Sequence, residues 1–470
     1  MRFFAIFGVM EEFHKKLTYD DLTKEQRDAL EYIFKFLEGP NRQMILTGAA
    51  GTGKTSLVNV LLDQLDESDE YEYTCTAPTN KAVGVIAERT GRPFNRTIYS
   101  LLGLVLMDVG DGKPTLKEQG DSTFEDYDLV ILDEASMVSE ALVDRIQNKL
   151  MRHQRTKVIY VGDRCQLPPV DDQLRGYSES VVFQLPLSVN LNTVMRTAKE
   201  NPILDAVTAM RVDMKSRIDL FAPSTKLLED GSGIEFVTDP DEFMEKMLSE
   251  FSSEAYKDDS SHAIALAWTN RAVDWMNAKI RRHIYGDDVD SFVKGEEVRV
   301  VRTYLSNADK PRVIYNCEDR LIIHAIEAMD DPKYKVPCFK MRVQAVDDTA
   351  KTTGKMTCYV VQPTPEAMTV YDKLKNEKKA EALKKMAEVK FGASVYSRKE
   401  AWHDYMKLRD HFLWLDYIYA LTVHKAQGST IRNVFVAGKN IDRAGDDPEL
   451  RNKLKYTAFT RASRKLTVLL

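Results

Sequence analysis

The stretch that decides the fold is Gly48-Ala49-Ala50-Gly51-Thr52-Gly53-Lys54-Thr55, which fits the phosphate-loop pattern G-x-x-x-x-G-K-[ST]. An apolar segment at 43–46 precedes it, and a helical pattern at 54–65 follows it. Glycines let successive backbone N–H groups curl around an oxyanion, and a helix N-terminus favours negative charge. In this pattern Lys54 reaches the β- and γ-phosphates and Thr55 holds Mg²⁺. The sequence therefore predicts a nucleotide site made of these eight residues and Ser56.

The composition is that of an ordinary globular protein with room for two to four domains. The chain has 470 residues, of which 43% are hydrophobic and 29% are charged, and its net charge is −6. With that charge, any nucleic acid would be bound by local basic surfaces and not by bulk positive charge. The five cysteines form no C-x-x-C pair, which favours a reducing compartment and argues against a zinc site. No segment approaches the roughly 20 apolar residues that cross a bilayer, so we expect no membrane contact.

The first 185 residues alternate short apolar runs with helical patterns. The runs lie at 44–47, 73–77, 129–132 and 157–161. Such runs are typical of strands buried on both faces of a parallel sheet. Turn residues at 108–114 indicate a small hairpin inserted at about 101–124.

A second α/β region begins near residue 186 and is interrupted. A strand pattern at 263–268 and a helical pattern at 271–283 come first. β-rich segments at 298–304, 320–326, 339–346 and 355–361 then indicate a small antiparallel barrel, and a Lys-rich helix is expected at 368–389. We therefore predict an α/β protein with a first domain at 1–185 and a second domain formed by 186–286 and 411–470. The insertion would occupy residues 287–410.

Two further strand ends carry chemistry. The apolar run 129–132 delivers Asp133, suited to Mg²⁺, and Glu134, suited to polarising the water that attacks the γ-phosphate. The run 157–161 leads to Gln166, whose amide can lie near the γ-phosphate and distinguish ATP from ADP. A surface Asp-Glu pair is common, but the phosphate loop upstream favours the catalytic interpretation.

Together these motifs resemble superfamily 1 helicases, specifically the 5′→3′ branch (superfamily 1B) and its Dda-type members from tailed bacteriophages. The resemblance covers nearly the whole chain, with the motifs in the family's order. They are LTKEQ at 22–26, the phosphate loop at 48–55, TAPTNKA at 76–82, DEAS at 133–136, GDRCQLPP at 162–169, NTVMR at 192–196, LTVHKAQGST at 421–430 and YTAFTRA at 456–462. In addition, residues 97–100 resemble motif Ib, where relatives often have His in place of Tyr99.

The resemblance implies two RecA-like P-loop domains with ATP and Mg²⁺ in the cleft between them. The insertion at 101–124 would be a strand-separating pin, and the insertion at 287–410 an SH3-like barrel with a helical extension. Gln26 would read adenine, while Arg196 and Arg461 would be arginine fingers that reach the transferring phosphoryl group. Contacts to single-stranded DNA would come from Pro78, Thr79, Asn80, Lys81, Thr97, Tyr99, Asn270, Thr422, His424 and Lys425.

The same resemblance implies the protein's working context. We expect a monomer that moves 5′→3′ on single-stranded DNA and opens forked duplex in phage replication or recombination. A single-stranded-DNA-binding protein or another replication protein is an expected partner. The location would be cytoplasmic, in the host cell if the chain is viral.

Three alternatives stay open at the level of sequence. The first is a P-loop kinase or small-molecule NTPase with no nucleic-acid track. The second is a translocase that mainly displaces proteins, because the pin segment has no aromatic residue before Phe124. The third is the same fold acting on RNA, since phosphate contacts do not separate RNA from DNA.

Overall fold

A computed structural model of the chain describes residues 17–94, 96–108, 114–118, 121–193, 201–306, 312–346, 354–390, 398–444 and 447–470. The predicted finger Arg196 lies outside these residues, as does the tip of the predicted pin at 109–113.

The strands, in chain order, are β1 (Gln43–Gly48), β2 (Tyr73–Thr76), β3 (Leu104–Asp108), β4 (Pro114–Glu118), β5 (Leu129–Leu132), β6 (Lys157–Gly162), β7 (Ser188–Leu191), β8 (Lys226–Leu227), β9 (Gly233–Val237), β10 (Ala263–Ala267), β11 (Glu297–Val300), β12 (Tyr304–Leu305), β13 (Val313–Tyr315), β14 (Arg320–Asp330), β15 (Pro337–Ala345), β16 (Met356–Val361), β17 (Leu415–Tyr417), β18 (Ala420–Thr422), β19 (Ile431–Val436) and β20 (Ala462–Leu469).

The α-helices are α1 (Lys24–Glu38), α2 (Lys54–Ser68), α3 (Asn80–Thr90), α4 (Ile98–Leu101), α5 (Glu140–Arg152), α6 (Val170–Gln173), α7 (Pro202–Met210), α8 (Pro240–Phe251), α9 (Glu254–Asp258), α10 (Asn270–Tyr285), α11 (Pro365–Lys390), α12 (Arg398–His411), α13 (Gly438–Ile441) and α14 (Pro448–Phe459). Short 3₁₀ turns occupy Tyr19–Asp21, Phe124–Asp126, Ala135–Met137 and Val181–Gln184.

The first half is built on a five-stranded parallel sheet in the order β2-β5-β6-β1-β7. All four residues of β5 are buried, which explains its continuous apolar run. One face packs against α1, α2 and α3, and the other packs against α5 and the segment after α4. The strand predictions for the first half are thereby confirmed. The carboxyl ends of β1, β5 and β6 lie side by side, which brings the loops that follow them together.

The predicted hairpin is also confirmed. Strands β3 and β4 pair antiparallel, with Leu104 opposite Glu118 and Asp108 opposite Pro114. Phe124, the aromatic residue that follows, is fully buried in the core of the first half. It therefore belongs to the base of the hairpin.

The second half carries a six-stranded sheet in the order β18-β10-β19-β20-β9-β8. Its strands are parallel except for the short edge strand β8, which pairs antiparallel with β9. Helices α7 and α14 cover one face, and α8 and α10 cover the other. The loops after β10 and β18 again meet at one edge, because these two strands are neighbours.

Between β10 and β18 the chain forms an antiparallel sheet in the order β16-β15-β14-β11-β17, a separate ribbon of β12 and β13, and the helices α11 and α12. The expected helix in this insertion is confirmed by α11. The two ends of the sheet approach at a single bridge between Tyr359 and Phe412. The SH3-like character of the insertion stays a prediction.

Two strands lie on the other side of the domain limits expected from sequence. Strand β7 pairs with β1 in the first sheet although it follows residue 185, and β17 pairs with β11 in the inserted sheet although it follows residue 410. Both are short and partly exposed; the burial of β7 is mixed, and all three residues of β17 are half-buried. Their affiliation is set by pairing partners far away in sequence, which periodicity does not reveal.

Candidate ATP site and nucleic-acid face

The phosphate loop joins β1 to α2 with the backbone that this motif requires. Gly51 and Gly53 have φ of 79° and 77°, a left-handed conformation that side chains disfavour. A Cβ at Gly48 would lie 2.7 Å from the Thr52 hydroxyl and 2.9 Å from the Leu191 carbonyl. The Lys54 ammonium donates to the carbonyls of Gly48 at 2.7 Å and Ala49 at 2.9 Å, so it lies over the loop.

Gln26 braces this loop from behind. Its Nε2 donates to the carbonyls of Thr52 at 3.3 Å and Gly53 at 3.2 Å, and its Oε1 accepts from the Thr23 amide at 2.9 Å. The side chain is buried and caps α1 together with Thr23. Its position next to the phosphate loop agrees with a nucleotide-site residue, whereas the contact with adenine stays a prediction.

The two carboxylates after β5 lie beside Lys54. The Glu134 amide donates to Asp133 Oδ1 at 2.8 Å, and Glu134 has a φ of 53°, which is uncommon for a residue with a side chain. Burial, and secondarily the charge of Asp133, raises the pKa of Glu134 to about 6, against the opposing effects of Arg461 and Lys54. Burial likewise raises the pKa of Asp133 and lowers that of Lys54. This is the setting in which a carboxylate can accept a proton near neutral pH.

Arg461 approaches Glu134 from the second half. Its guanidinium donates to the carbonyls of Thr457 at 3.0 Å and Ser429 at 3.1 Å, and to the Thr460 hydroxyl at 3.0 Å. Burial lowers the pKa of Arg461, and the Glu134 charge opposes this shift most strongly. Gly428, at φ 77°, lies so close that a Cβ there would be 3.8 Å from Glu134 Oε1. The two halves therefore meet at the Glu134 carboxylate.

The loop after β6 inserts into the second half. Leu167 is fully buried in the same cluster as α7 and α14, its amide donates to the Thr457 hydroxyl at 3.2 Å, and its carbonyl accepts from Gln427 Nε2 at 3.1 Å. Gln427 also donates to the Ser136 hydroxyl at 3.0 Å. Gln166 lies beside Leu167, and its buried Oε1 accepts no hydrogen bond from the part of the chain that the structure describes.

Sequence reasoning placed Gln427 and Thr457 inside motifs but gave them no role. Their type and spacing do not distinguish them from neighbouring polar residues, so only their contacts identify them. A third hydrogen bond between the two halves runs from Arg89 to the Thr430 hydroxyl at 3.1 Å.

The cleft fits a nucleotide with a divalent cation. The glycine loop leaves no room for a Cβ at Gly48, and Thr55 and Asp133 carry side-chain oxygens, the ligand type that Mg²⁺ prefers. Within the described ranges no group of three or more His, Cys, Asp or Glu side chains could hold a metal ion. Such a cation would therefore be held by few protein ligands together with phosphate oxygens, as is usual for Mg²⁺ in NTPases.

The predicted DNA contacts divide into exposed and structural side chains. Asn80, Lys81, Asn270 and Lys425 are exposed beside strand ends, after β2, β10 and β18. Thr79 and Thr97 cap α3 and α4 through their hydroxyls, at 3.2 and 3.3 Å from the amides they accept. Their side chains are therefore partly occupied by the fold.

The other predicted contacts are more enclosed. Pro78 and Thr422 are buried, and Tyr99 packs against the core of the first half. His424 is half-buried with its Nε2 at 3.4 Å from Gln173 Nε2, and burial lowers its pKa. These residues shape the surface, whereas the four exposed ones offer donors on it.

Comparison with known proteins places this geometry in a family. Residues 21–233 match the model of an AAA domain, and residues 417–469 match that of the UvrD-like helicase C-terminal domain. The chain is 25% identical over 474 residues to the ATP-dependent DNA helicase dda of Enterobacteria phage T4, an alignment that covers 95% of this chain and 98% of that protein. It is 24% identical over 515 residues to the uncharacterized protein R530 of Acanthamoeba polyphaga mimivirus, with 94% and 98% covered.

A more distant solved structure shares the fold. It is a structure of Pif1 helicases on forked double-stranded DNA, matched with a TM-score of 0.50 at 17% identity over 95% of this chain and 92% of that one. In the described part of the chain, no helix is long and apolar enough to cross a membrane. With its phosphate loop, its paired carboxylates and its arginine presented from a second parallel-sheet half, the chain is an ATP-dependent DNA helicase that resembles those of superfamily 1B.

Proposed function

We propose that this helicase moves 5′→3′ along single-stranded DNA and opens forked duplex, with Mg²⁺-ATP as its fuel, in the replication or recombination of a phage or viral genome. The support is the full-length similarity to the T4 helicase and the order of motifs along the chain. We further propose that it acts as a monomer.

The observation that carries the proposal is the meeting of Glu134 with Gly428 and Arg461 across the cleft. In the proposed mechanism the phosphate loop and Lys54 would hold the β- and γ-phosphates, and Thr55 and Asp133 would hold Mg²⁺, which would neutralise charge on the phosphates. Glu134 orients the attacking water and takes its proton. Arg461, and Arg196 from the motif at 192–196, stabilise charge on the transferring group.

Movement follows from the same contacts. Gln166, whose Oε1 accepts no hydrogen bond from the described residues, lies at the start of the loop that inserts into the second half. A changed contact of Gln166 with the γ-phosphate would therefore shift Leu167 and Gln427. Hydrolysis removes the charge that the arginine grips, and the cleft opens. Each half would hold the phosphates or sugars of the single strand in turn, without reading its sequence. The exposed donors are Asn80 and Lys81 on the first half, and Asn270 and Lys425 on the second.

The hairpin of β3 and β4 would separate the strands. Opening one base-pair step costs on average about 1.4 kcal/mol of stacking, which must be coupled to each step. Because Phe124 is buried, an aliphatic residue of the hairpin would act as the wedge, as apolar side chains do in bent duplexes.

The decisive experiment uses two matched duplexes, one with a 5′ single-stranded tail and one with a 3′ tail. We expect ATP-dependent unwinding of the 5′-tailed duplex only, and none by the Lys54→Ala protein. Exclusive unwinding of the 3′-tailed duplex would overturn the polarity, and unwinding by Lys54→Ala would overturn the ATP site. The same duplexes with RNA tails test the choice of nucleic acid.

A second candidate function is displacement of bound proteins with little unwinding. The absence of an aromatic residue between 101 and 123 favours it. Streptavidin removal from the 3′ end of a biotinylated single strand, without unwinding of the 5′-tailed duplex, would select this function.

A further inference from the structure

A buried contact between a carboxylate, a guanidinium and a phenol joins the two halves. Asp163 follows β6 in the first half, Arg211 follows α7 in the second, and Tyr456 lies inside α14. Arg211 Nη1 donates to Asp163 Oδ1 at 2.5 Å and to the Tyr456 hydroxyl oxygen at 2.8 Å. The Tyr456 hydroxyl in turn donates to Asp163 Oδ2. Asp163 is 1% exposed and Tyr456 is fully buried, whereas the Arg211 side chain is 22% exposed, so the contact is closed to water on the carboxylate and phenol side.

The contact links the two sides of the proposed ATP site. On the first half, Asp163 Oδ1 also accepts from the Cys165 amide at 3.1 Å and so shapes the loop that carries Gln166. Its charge is the strongest of those that oppose the lowering of the Lys54 pKa by burial. On the second half, Tyr456 lies in the helix that leads to Arg461. A shift of this contact would therefore move the finger relative to the phosphate loop.

We propose that Arg211 is a positioning residue for ATP hydrolysis, which fixes Arg461 over the phosphate loop by holding Asp163 and Tyr456 together. This inference rests on the proposed role of the cleft as the ATP site. Arg211 acts through its partners and not on the nucleotide, so it affects turnover and leaves ATP binding nearly unchanged. An arginine suits the task because its planar guanidinium holds the N–H groups of Nη1, which serves both acceptors, in fixed directions.

The test measures kcat and KM of DNA-stimulated ATP hydrolysis for Arg211→Ala, Tyr456→Phe and the double variant. A hydrogen bond to a charged group corresponds to about a ten- to hundredfold effect. We expect kcat to fall at least about tenfold in each single variant, with KM within about threefold of wild type. The double variant should be no more than about twofold slower than Arg211→Ala, because the residues act as one unit.

Asp219→Asn is the matched control. It weakens an ion pair with Lys455, 2.9 Å long, that lies wholly within the second half, where Lys455 keeps Asp442 at 2.7 Å. We expect this variant to keep its kcat. If Arg211→Ala and Tyr456→Phe keep wild-type kcat and only lower the melting temperature, as we expect of Asp219→Asn, the proposal is wrong.

Two further outcomes are distinguishable. Should Arg211→Ala fail to fold, Tyr456→Phe decides, since it removes a single hydroxyl. A wild-type protein that hydrolyses no ATP would overturn the proposed function itself, whereas active wild type with unaffected variants overturns only the role of Arg211.

Discussion

Replacing Arg461 by alanine separates chemistry from binding at the cleft. Arg461 is 5% exposed, and its charge interacts with that of Glu134. Arginine fingers contribute about 10³–10⁵ in turnover in other NTPases. We therefore expect kcat of Arg461→Ala to fall at least about 10³-fold, while the affinity for ATP changes by a few-fold, because Lys54 and the loop remain.

The same substitution also removes structural hydrogen bonds. The Ser429 carbonyl loses its donor, at about 1–3 kcal/mol if it stays dry, whereas the Thr457 carbonyl still accepts from the Thr460 hydroxyl at 2.9 Å. A fall in stability of about 1–3 kcal/mol is thus expected independently of catalysis, and it must be measured by denaturant unfolding. Arg461→Lys keeps the charge but cannot serve all three acceptors, so it should recover only part of the loss.

Arg451→Ala is the control for that structural part. Arg451 donates to the carbonyls of Arg217 at 3.0 Å and Ser216 at 3.2 Å, within the second half and away from Glu134. It should lose stability and keep its kcat. The assay is steady-state phosphate release with saturating single-stranded DNA, paired with titration of a fluorescent ATP analogue. Turnover of Arg461→Ala above about a tenth of wild type would refute the assignment.

Three other predictions follow from the same contacts. Gly48→Ala should destabilise the protein by about 1–3 kcal/mol and weaken ATP binding, because its Cβ would meet backbone. Gly84→Ala in α3, with open space around it, should instead stabilise the protein by about 0.5–1 kcal/mol, and equal effects of the two substitutions in thermal unfolding would contradict this. Lys425→Ala should weaken single-stranded DNA binding equally for all sequences and reduce the slope of log K against log salt by about 0.7. An unchanged slope would show that Lys425 does not contact the DNA backbone. Glu296→Ala leaves the Arg281 charge buried without its partner at 2.6 Å, so denaturant unfolding should show a loss of about 3–5 kcal/mol, and a loss below about 1 kcal/mol would show that the pair is dispensable.

The sequence predicts what depends on local pattern. The four-residue apolar run of β5 and the glycines of the phosphate loop allow few structures, so their place and geometry follow from the residues alone. The position of strand β7 in the first sheet is not predicted, because its four residues have no clear period and their place is set by pairing with β1. The family resemblance assigned Gln26 to adenine, yet its amide also satisfies loop carbonyls, a use that no motif records.

The cross-cleft contacts were the least predictable from sequence for a related reason. Arg211 lies in none of the motifs, and nothing in the sequence distinguishes Gln427 from a glutamine in any other loop. Each acquires its role from a partner more than 40 residues away, on the other half. Long-range polar pairs leave no periodic trace, so only the folded chain reveals them.

The chemistry of these contacts determines how the cleft can work as a switch. An apolar interface between the halves would hold them shut, since each buried Å² contributes about 25 cal/mol. Here the described contacts between the halves include single hydrogen bonds, such as those of Gln427 and Thr457, around the inserted side chains of Cys165 and Leu167. Each such bond contributes only about 0.5–1.5 kcal/mol net, because water replaces it on opening. The closed form is then favoured by no more than several kcal/mol.

A bias of that size is within reach of one phosphate group. To shift the equilibrium between the open and closed forms from 1:99 to 99:1 takes about 5.5 kcal/mol of differential binding. In the proposed mechanism, the hydrogen bonds of Arg461 and Lys54 to the γ-phosphate supply this difference. The ion pair of Asp163 and Arg211 is stronger than these hydrogen bonds, because separating it would leave the Asp163 carboxylate, which is 1% exposed, without its charged partner. We therefore expect the halves to pivot about this pair while the hydrogen bonds at Gln427 open, so that the γ-phosphate end of the cleft moves furthest.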